Sequence, residues 1–218
     1  MMGTALGLCL AGVVASQGAP GVAIVESGNL FYGNQTIDLR VGTDVIPTAG
    51  DLCVVWSASD SGNPETPTGW TALYTDSGSA PDLGCFYRVF TGSENETYSF
   101  HGTREGSGFY AVFRNAGIPV YLNSENGSSS AYATSALGGS VVKGDLLFCV
   151  VHLDDDVVTS WTAPTGYVNL DAYSSALGGA SVLVSYKLIT ATGSETVGSN
   201  SSGSSDAYVA AATRVPLA

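Results

Sequence analysis

Basic residues are scarce in this chain of 218 residues. Lys and Arg together number 7 against 19 Asp and Glu, which leaves a net charge of −12. That shortage excludes electrostatic attraction to nucleic acid or to an anionic membrane surface as the basis of function. Charged residues of both signs make up only 12%, about half the usual share. Helix surfaces are coated with Glu, Lys, Arg and Gln, so a helical bundle is excluded on the same ground. No apolar run reaches the ~20 residues of a membrane-spanning helix. No segment repeats its apolar residues at helical spacing between caps. Only two histidines are present, His101 and His152. The H-E-x-x-H, G-x-S-x-G and G-x-x-x-x-G-K patterns are missing. The four cysteines, Cys9, Cys53, Cys85 and Cys149, are widely spaced and form no C-x-x-C, which excludes a zinc ribbon.

What is abundant points to β structure. Apolar residues reach 44%, enough for a sizeable core, and 28 glycines with many Ser and Thr supply turns. Cys53, Cys85 and Cys149 each lie inside an apolar run and read as reduced core residues acting as small hydrophobes. A Cys53–Cys85 disulfide is compatible with the sequence but carries no signature. Near the N-terminus the run TALGLCLAGVVAS is apolar and rich in Gly and Ala, yet the first basic residue is Arg40. A secretory signal would need a basic start. Residues 1–21 are therefore expected to form an arm packed on its own domain or on a neighbouring subunit. Leu6, Leu8, Leu10, Val13 and Val14 are its assembly contacts.

Self-similarity at long period organises the rest. Gly50-Asp51-Leu52 returns as Gly144-Asp145-Leu146, each followed by an apolar run. Pro67-Thr68-Gly69-Trp70 returns as Pro164-Thr165-Gly166-Tyr167, and Tyr87-Arg88-Val89 as Tyr186-Lys187-Leu188. The tetrapeptide TGSE occurs at 91–94 and again at 192–195. Ala111 to Arg114 is matched by Ala211 to Arg214. The order is kept, which implies two copies, 22–120 and 121–218. Each reads as short strands broken by turns, near 36–41, 51–58, 70–75, 83–90, 96–101 and 108–114 in the first. In the second they fall near 131–135, 145–152, 167–172, 180–189, 195–198 and 207–215. The stretch 122–130 reads as a linker or early loop. The expected fold is all-β, two tandem antiparallel β-sandwich repeats of jelly-roll or Ig-like type behind an N-terminal arm. A merger of the two copies into one larger jelly roll is the alternative.

Candidate chemistry is sparse. Asp154, Asp155 and Asp156 form an acidic run that could offer oxygen ligands to Ca²⁺, but the spacing fits no calcium loop and solvated turn residues explain it. No pair of carboxylates is singled out for glycoside hydrolysis. Arg88 and Lys187 read as strand-face charges paired with nearby acids. Trp56, Trp70, Trp161 and Tyr173 flank corresponding loops and could stack on sugar rings; Trp70 and Tyr167 also read as equivalent anchors capping two cores.

As a set, Gly-Asp-Leu, the apolar run, Pro-Thr-Gly-Trp, Tyr-Arg/Lys-Val and Thr-Gly-Ser-Glu resemble a β module of tailed-bacteriophage virion proteins. The module occurs in tail-associated and fibre-like adhesins and in capsid decoration proteins. The resemblance covers about 45–117 and 140–215, and copy two departs from it in having Tyr167 in place of Trp. It implies a structural or adhesive role on the particle exterior, with no catalytic residues and no cofactor. The partners expected are other virion proteins and copies of the same chain, a trimer by analogy with decorations and fibres. A carbohydrate- or receptor-binding adhesin contacting a host-surface glycan is the alternative.

Overall fold

In the computed structural model the described residues are 21–30, 36–38, 48–59, 62–76, 81–92, 94, 97–100, 106–132, 137–154, 161–173, 181–198 and 200–218. The arm residues Leu6, Leu8, Leu10, Val13 and Val14 lie outside them, as do His101, Asp155 and Asp156. The described chain is all-β and antiparallel. The first half contributes β1 (Ala23–Leu30), β2 (Thr36–Asp38), β3 (Leu52–Ser59), β4 (Thr71–Asp76), β5 (Asp82–Val89), β6 (Thr97–Ser99) and β7 (Gly106–Arg114). The second contributes β8 (Val120–Tyr132), β9 (Gly138–Val141), β10 (Leu146–Leu153), β11 (Trp161–Thr162), β12 (Val168–Tyr173), β13 (Ser181–Leu188), β14 (Gly193–Thr196) and β15 (Asn200–Val215).

Each half builds one large sheet and one two-stranded ribbon. The first sheet has the order β1-β7-β3-β5-β4, and the second has β8-β15-β10-β13-β12 with β11 continuing beside β15. In chain terms the two orders coincide. The ribbons are β2-β6 and β9-β14.

Alternation explains where the cores sit. Along β3, Leu52, Val54 and Trp56 point to one side of their sheet and Cys53 and Val55 to the other. Along β10, Leu146, Phe148 and Val150 share the first cluster, while Leu147, Cys149, Val151 and Leu153 turn away. The two large sheets thus pack face to face through a common core that draws on both halves. The outer face of the first sheet is covered by Ile37 of β2, Tyr98 of β6 and the adjoining Phe100. Leu137, Val141 of β9 and Val197 cover the outer face of the second. The result is four layers: ribbon, sheet, sheet, ribbon. Strands β3 and β10 are buried at every position, which is why both read as unbroken apolar runs.

The sheets run in the same sense. Strands β7 and β15 finish together: Ala116 bridges to Leu217, Gly117 N–H donates to Pro216 O at 2.8 Å and Ala218 N–H donates to Asn115 O at 3.0 Å. At the flanks β1 lies over β12, where Asn29 Nδ2 donates to Asp171 Oδ2 at 2.9 Å. The rings of Tyr74 on β4 and Tyr121 on β8 meet at 4.4 Å on the other flank. This arrangement is that of a two-fold packing with its axis along the strands, as in an isologous dimer interface.

Several expectations change. Residues 122–130 form most of β8, not a linker. Strand β1 was outside the expected set, and the Ser-rich stretch from Asn200 is the first half of β15. The two sandwiches are not separate bodies, because each contributes a face to the shared core. The match of Ala111–Arg114 to Ala211–Arg214 is two residues out of ladder register: Leu52 pairs Phe113, whereas Leu146 pairs Val215. A Cys53–Cys85 bridge is ruled out by the pleat, since the two side chains lie on opposite faces of the first sheet.

Candidate functional site

The repeated motifs converge at the end of the sheets where β3 and β10 begin. Gly50 and Gly144 have φ of 91° and 97°, a left-handed turn that glycine makes without strain. The turn swings the next carboxylate back over its own loop. Asp51 accepts from Thr48 N–H at 2.9 Å and Thr48 Oγ1 at 3.0 Å, and receives a two-pronged contact from Arg114, Nε at 3.0 Å and Nη2 at 2.7 Å. Burial alone would raise its pKa, but the Arg114 and Thr48 hydrogen bonds outweigh it and hold Asp51 below the usual carboxylate range. In the other copy Asp145 accepts from Val142 N–H at 2.8 Å, while Arg214 Nη1 stands off at 3.6 Å. The looser contact follows from the two-residue offset of Arg214 along its strand.

The neighbouring TGSE turns serve the strand-end cations. Glu94 accepts from Thr91 N–H at 2.7 Å, Thr91 Oγ1 at 2.9 Å and Gly92 N–H at 3.0 Å, and lies 3.6 Å from Arg88. Burial opposes ionisation of Glu94, yet these hydrogen bonds keep its pKa lowered. Lys187 pairs with Glu195 in the same way. Arg88 also sits over the Tyr98 ring at 5.1 Å, and Lys187 over the Tyr167 ring at 5.9 Å. The strand-face charges of Arg88 and Lys187 are paired with acids, as the sequence implied. An open depression of about 360 Å³ lies beside them, lined by Thr48, Gly50, Asp51, Arg114, Asn115 and Ala218. Its two charged groups already bind each other.

The aromatic residues considered for stacking on a ligand divide sharply. Trp56 is wholly buried between the sheets, stacked on Phe148 at 5.2 Å, with its indole N–H 3.4 Å from Thr213 Oγ1. Trp70 is buried against Phe100 and Tyr98. Neither ring offers a face to a sugar; both fill cores, and Trp70 and Tyr167 close the Pro-Thr-Gly turns with N–H bonds back to Pro67 and Pro164. Trp161 on β11 is half-buried against the outer core of the second sheet. For Tyr173, at the end of β12, only the backbone is described.

The remaining nucleophiles and bases are interior. Cys53, Cys85 and Cys149 are buried thiols outside any disulfide, and burial pushes the Cys53 and Cys85 thiols up. His152 is fully buried on β10, with Nδ1 3.4 Å from Ser107 Oγ across the sheet interface and Nε2 without a hydrogen-bond partner. Burial lowers its pKa to about 3. This Ser–His contact has no opening to a substrate. Among the described residues no group of three or more His, Cys, Asp or Glu side chains could hold a metal. Of the acidic run only Asp154 is described; its N–H donates to Ala207 O at 3.0 Å. Among the described residues no helix is long and apolar enough to cross a membrane.

Sequence reasoning missed one pairing that both sheets share. Tyr110 lies opposite Gly28 and donates its hydroxyl to Glu26 at 2.9 Å; Tyr208 lies opposite Gly127 and donates to Glu125 at 3.3 Å. The signal was present as Glu-x-Gly at 26–28 and 125–127. A side chain on either glycine would press on the tyrosine ring. No protein family, curated protein or solved structure that was compared matches this chain.

Proposed function

We propose that the chain is a non-enzymatic structural protein of the exterior of a tailed-phage particle, a capsid decoration or a tail or fibre component, acting by assembly contacts. The observation that carries this reading is the four-layer body itself. Four sheets and ribbons bury their apolar faces against one another, and the polar groups at one end are tied into ion-paired turns. Such a body supports loops and edges rigidly. The strongly acidic balance keeps free copies apart in solution before assembly. The motif set that resembles the virion module forms the turns and strand ends of both halves.

The test is incorporation. Antibody against the chain should label intact particles from a culture that produces it, and deletion of 1–21 should leave a folded protein that no longer joins them. Absence of label on purified particles overturns the reading. Of the aromatics considered for stacking, the adhesin alternative retains Trp161, which is half-buried, and would show as glycan-dependent quenching of its fluorescence.

A further inference from the structure

The duplicated sheets let each position in one half be set against its equivalent in the other. Counted from the first residues of β3 and β10, the ladder pair Ala58–Ser107 answers to His152–Val209. Val54–Ala111 answers to Phe148–Thr213, and Trp56–Phe109 to Val150–Ala211. All of these side chains point between the sheets.

Side-chain hydrogen bonds cross the shared core at two levels. Ser107 Oγ lies 3.4 Å from His152 Nδ1, and Trp56 donates its indole N–H to Thr213 Oγ1 at 3.4 Å. At the second level Trp56 also stacks on Phe148. The two-fold relation between the halves gives each contact an equivalent. That of Ser107–His152 is Val209–Ala58, and both residues belong to one small apolar cluster. That of Trp56–Thr213 is Val150–Ala111, and that of Trp56–Phe148 is Val150–Val54, with Val54, Ala111 and Val150 all in the shared core. Each polar bond thus takes one partner from each half, and its two-fold equivalent is apolar. Large side chains meet large ones, and small meet small.

Pairing like with like would undo this match. Two first sheets brought face to face would set both Ser107 hydroxyls against Ala58 and both Trp56 indoles against Val54 and Ala111. Two second sheets would set both His152 rings against Val209 and both Thr213 hydroxyls against Val150. Ser107, His152, Trp56 and Thr213 are wholly buried, so each would lose its partner away from water, twice per pair. His152 already has one ring nitrogen, Nε2, without a partner, and a like pairing would strand the other. We propose that Ser107, His152, Trp56 and Thr213 are specificity-determining residues, which fit the inner face of each sheet to the other half of a chain and reject a like sheet from a second copy. The short connection 115–119 between β7 and β8 holds the matching half close. Copies then close their own cores instead of joining through inner faces of the same kind, whatever the finished protein does.

The pairing can be counted. A protease recognition sequence inserted after Ile118, which is exposed, lets the folded protein be cut between its halves. After unfolding in urea and refolding, native mass spectrometry separates the three possible pairs by mass. The native sequence should return the mixed pair almost alone. Ser107→Val with His152→Ala copies the Ala58–Val209 contact onto the other side, and the share of like pairs should then rise by roughly tenfold or more. Trp56→Phe with Thr213→Ala tests the second level independently. Pairs of the native halves in the statistical ratio would overturn the proposal, as would variants that stay as strictly mixed as the native protein. The uncut chain supplies a check that does not need the halves to find each other again. Ser107→Ala and His152→Ala should cost clearly less together than the sum of their separate costs in urea unfolding, and additive costs would also overturn the assignment.

Discussion

At the scale of single residues, the shared core rests on a few large side chains. Trp56 stacks on Phe148 and tilts against Phe109 at 6.2 Å, and it has no exposed surface. Trp56→Ala should cost about 3–5 kcal/mol in denaturant unfolding, from lost burial and the cavity left behind. His152 gives a pH signature. Its folded pKa of about 3 lies below the ordinary imidazole value of 6.5, so the unfolded chain binds the proton more readily. Its contribution is fully present above pH 6.5 and is lost as pH falls towards 3, at a slope of up to about 1.4 kcal/mol per pH unit. Urea midpoints measured from pH 7 to pH 4.5 should fall in the native protein and fall less in His152→Val. An unchanged slope in that variant would assign the effect elsewhere. Asp171, whose burial raises its pKa, titrates with the opposite sign and is common to both proteins.

At the scale of elements, turns and ribbons set the boundaries. Gly138 has φ of 134°, and a Cβ there would stand 2.1 Å from Glu195 O across the β9–β14 pair. Gly138→Ala should therefore destabilise by about 2 kcal/mol or more, whereas Gly193→Ala on the partner strand, with open space around it, should change little. Comparing the two melting temperatures isolates backbone approach from loss of glycine as such. Asp51→Ala should cost about 1–3 kcal/mol by leaving Thr48 N–H and the Arg114 guanidinium without their acceptor. Asp145→Ala should cost less, because Arg214 stands farther off. Strand existence was legible wherever both faces are covered, as in β3 and β10. Strands β1 and β8 escaped because they are sheet edges, half-exposed and polar. Their pairing is fixed by a neighbour far along the chain, not by local apolar alternation. The Arg114 and Arg214 match shows the same limit: the same Ala-x-x-Arg tetrapeptide spacing did not give identical ladder register.

At the scale of the whole molecule, the face-to-face packing makes the halves one thermodynamic unit. The common core takes Leu52, Trp56 and Phe113 from one sheet and Phe148, Val184 and Val215 from the other. Neither half can unfold without exposing the partner's face. Calorimetry should show a single transition with equal calorimetric and van't Hoff enthalpies. Two resolved transitions would contradict a shared core. Light scattering over a range of concentration gives the association state that decoration and fibre roles require; a trimer would favour them, and a monomer would place assembly on the particle itself.

The sequence by itself determined the all-β class, the repeated turns, the buried Cys53, Cys85 and Cys149, and that Arg88 and Lys187 pair with nearby acids. Those features depend on residues close in the chain: glycine at positive φ, alternation along a strand, a carboxylate three residues from the hydroxyl it accepts from. Only the tertiary structure decided that the two sheets share a core and that Trp56 and Trp70 are interior. Each of these depends on which faces meet, and side chains of a strand with two apolar faces carry no local mark of which sheet will cover them.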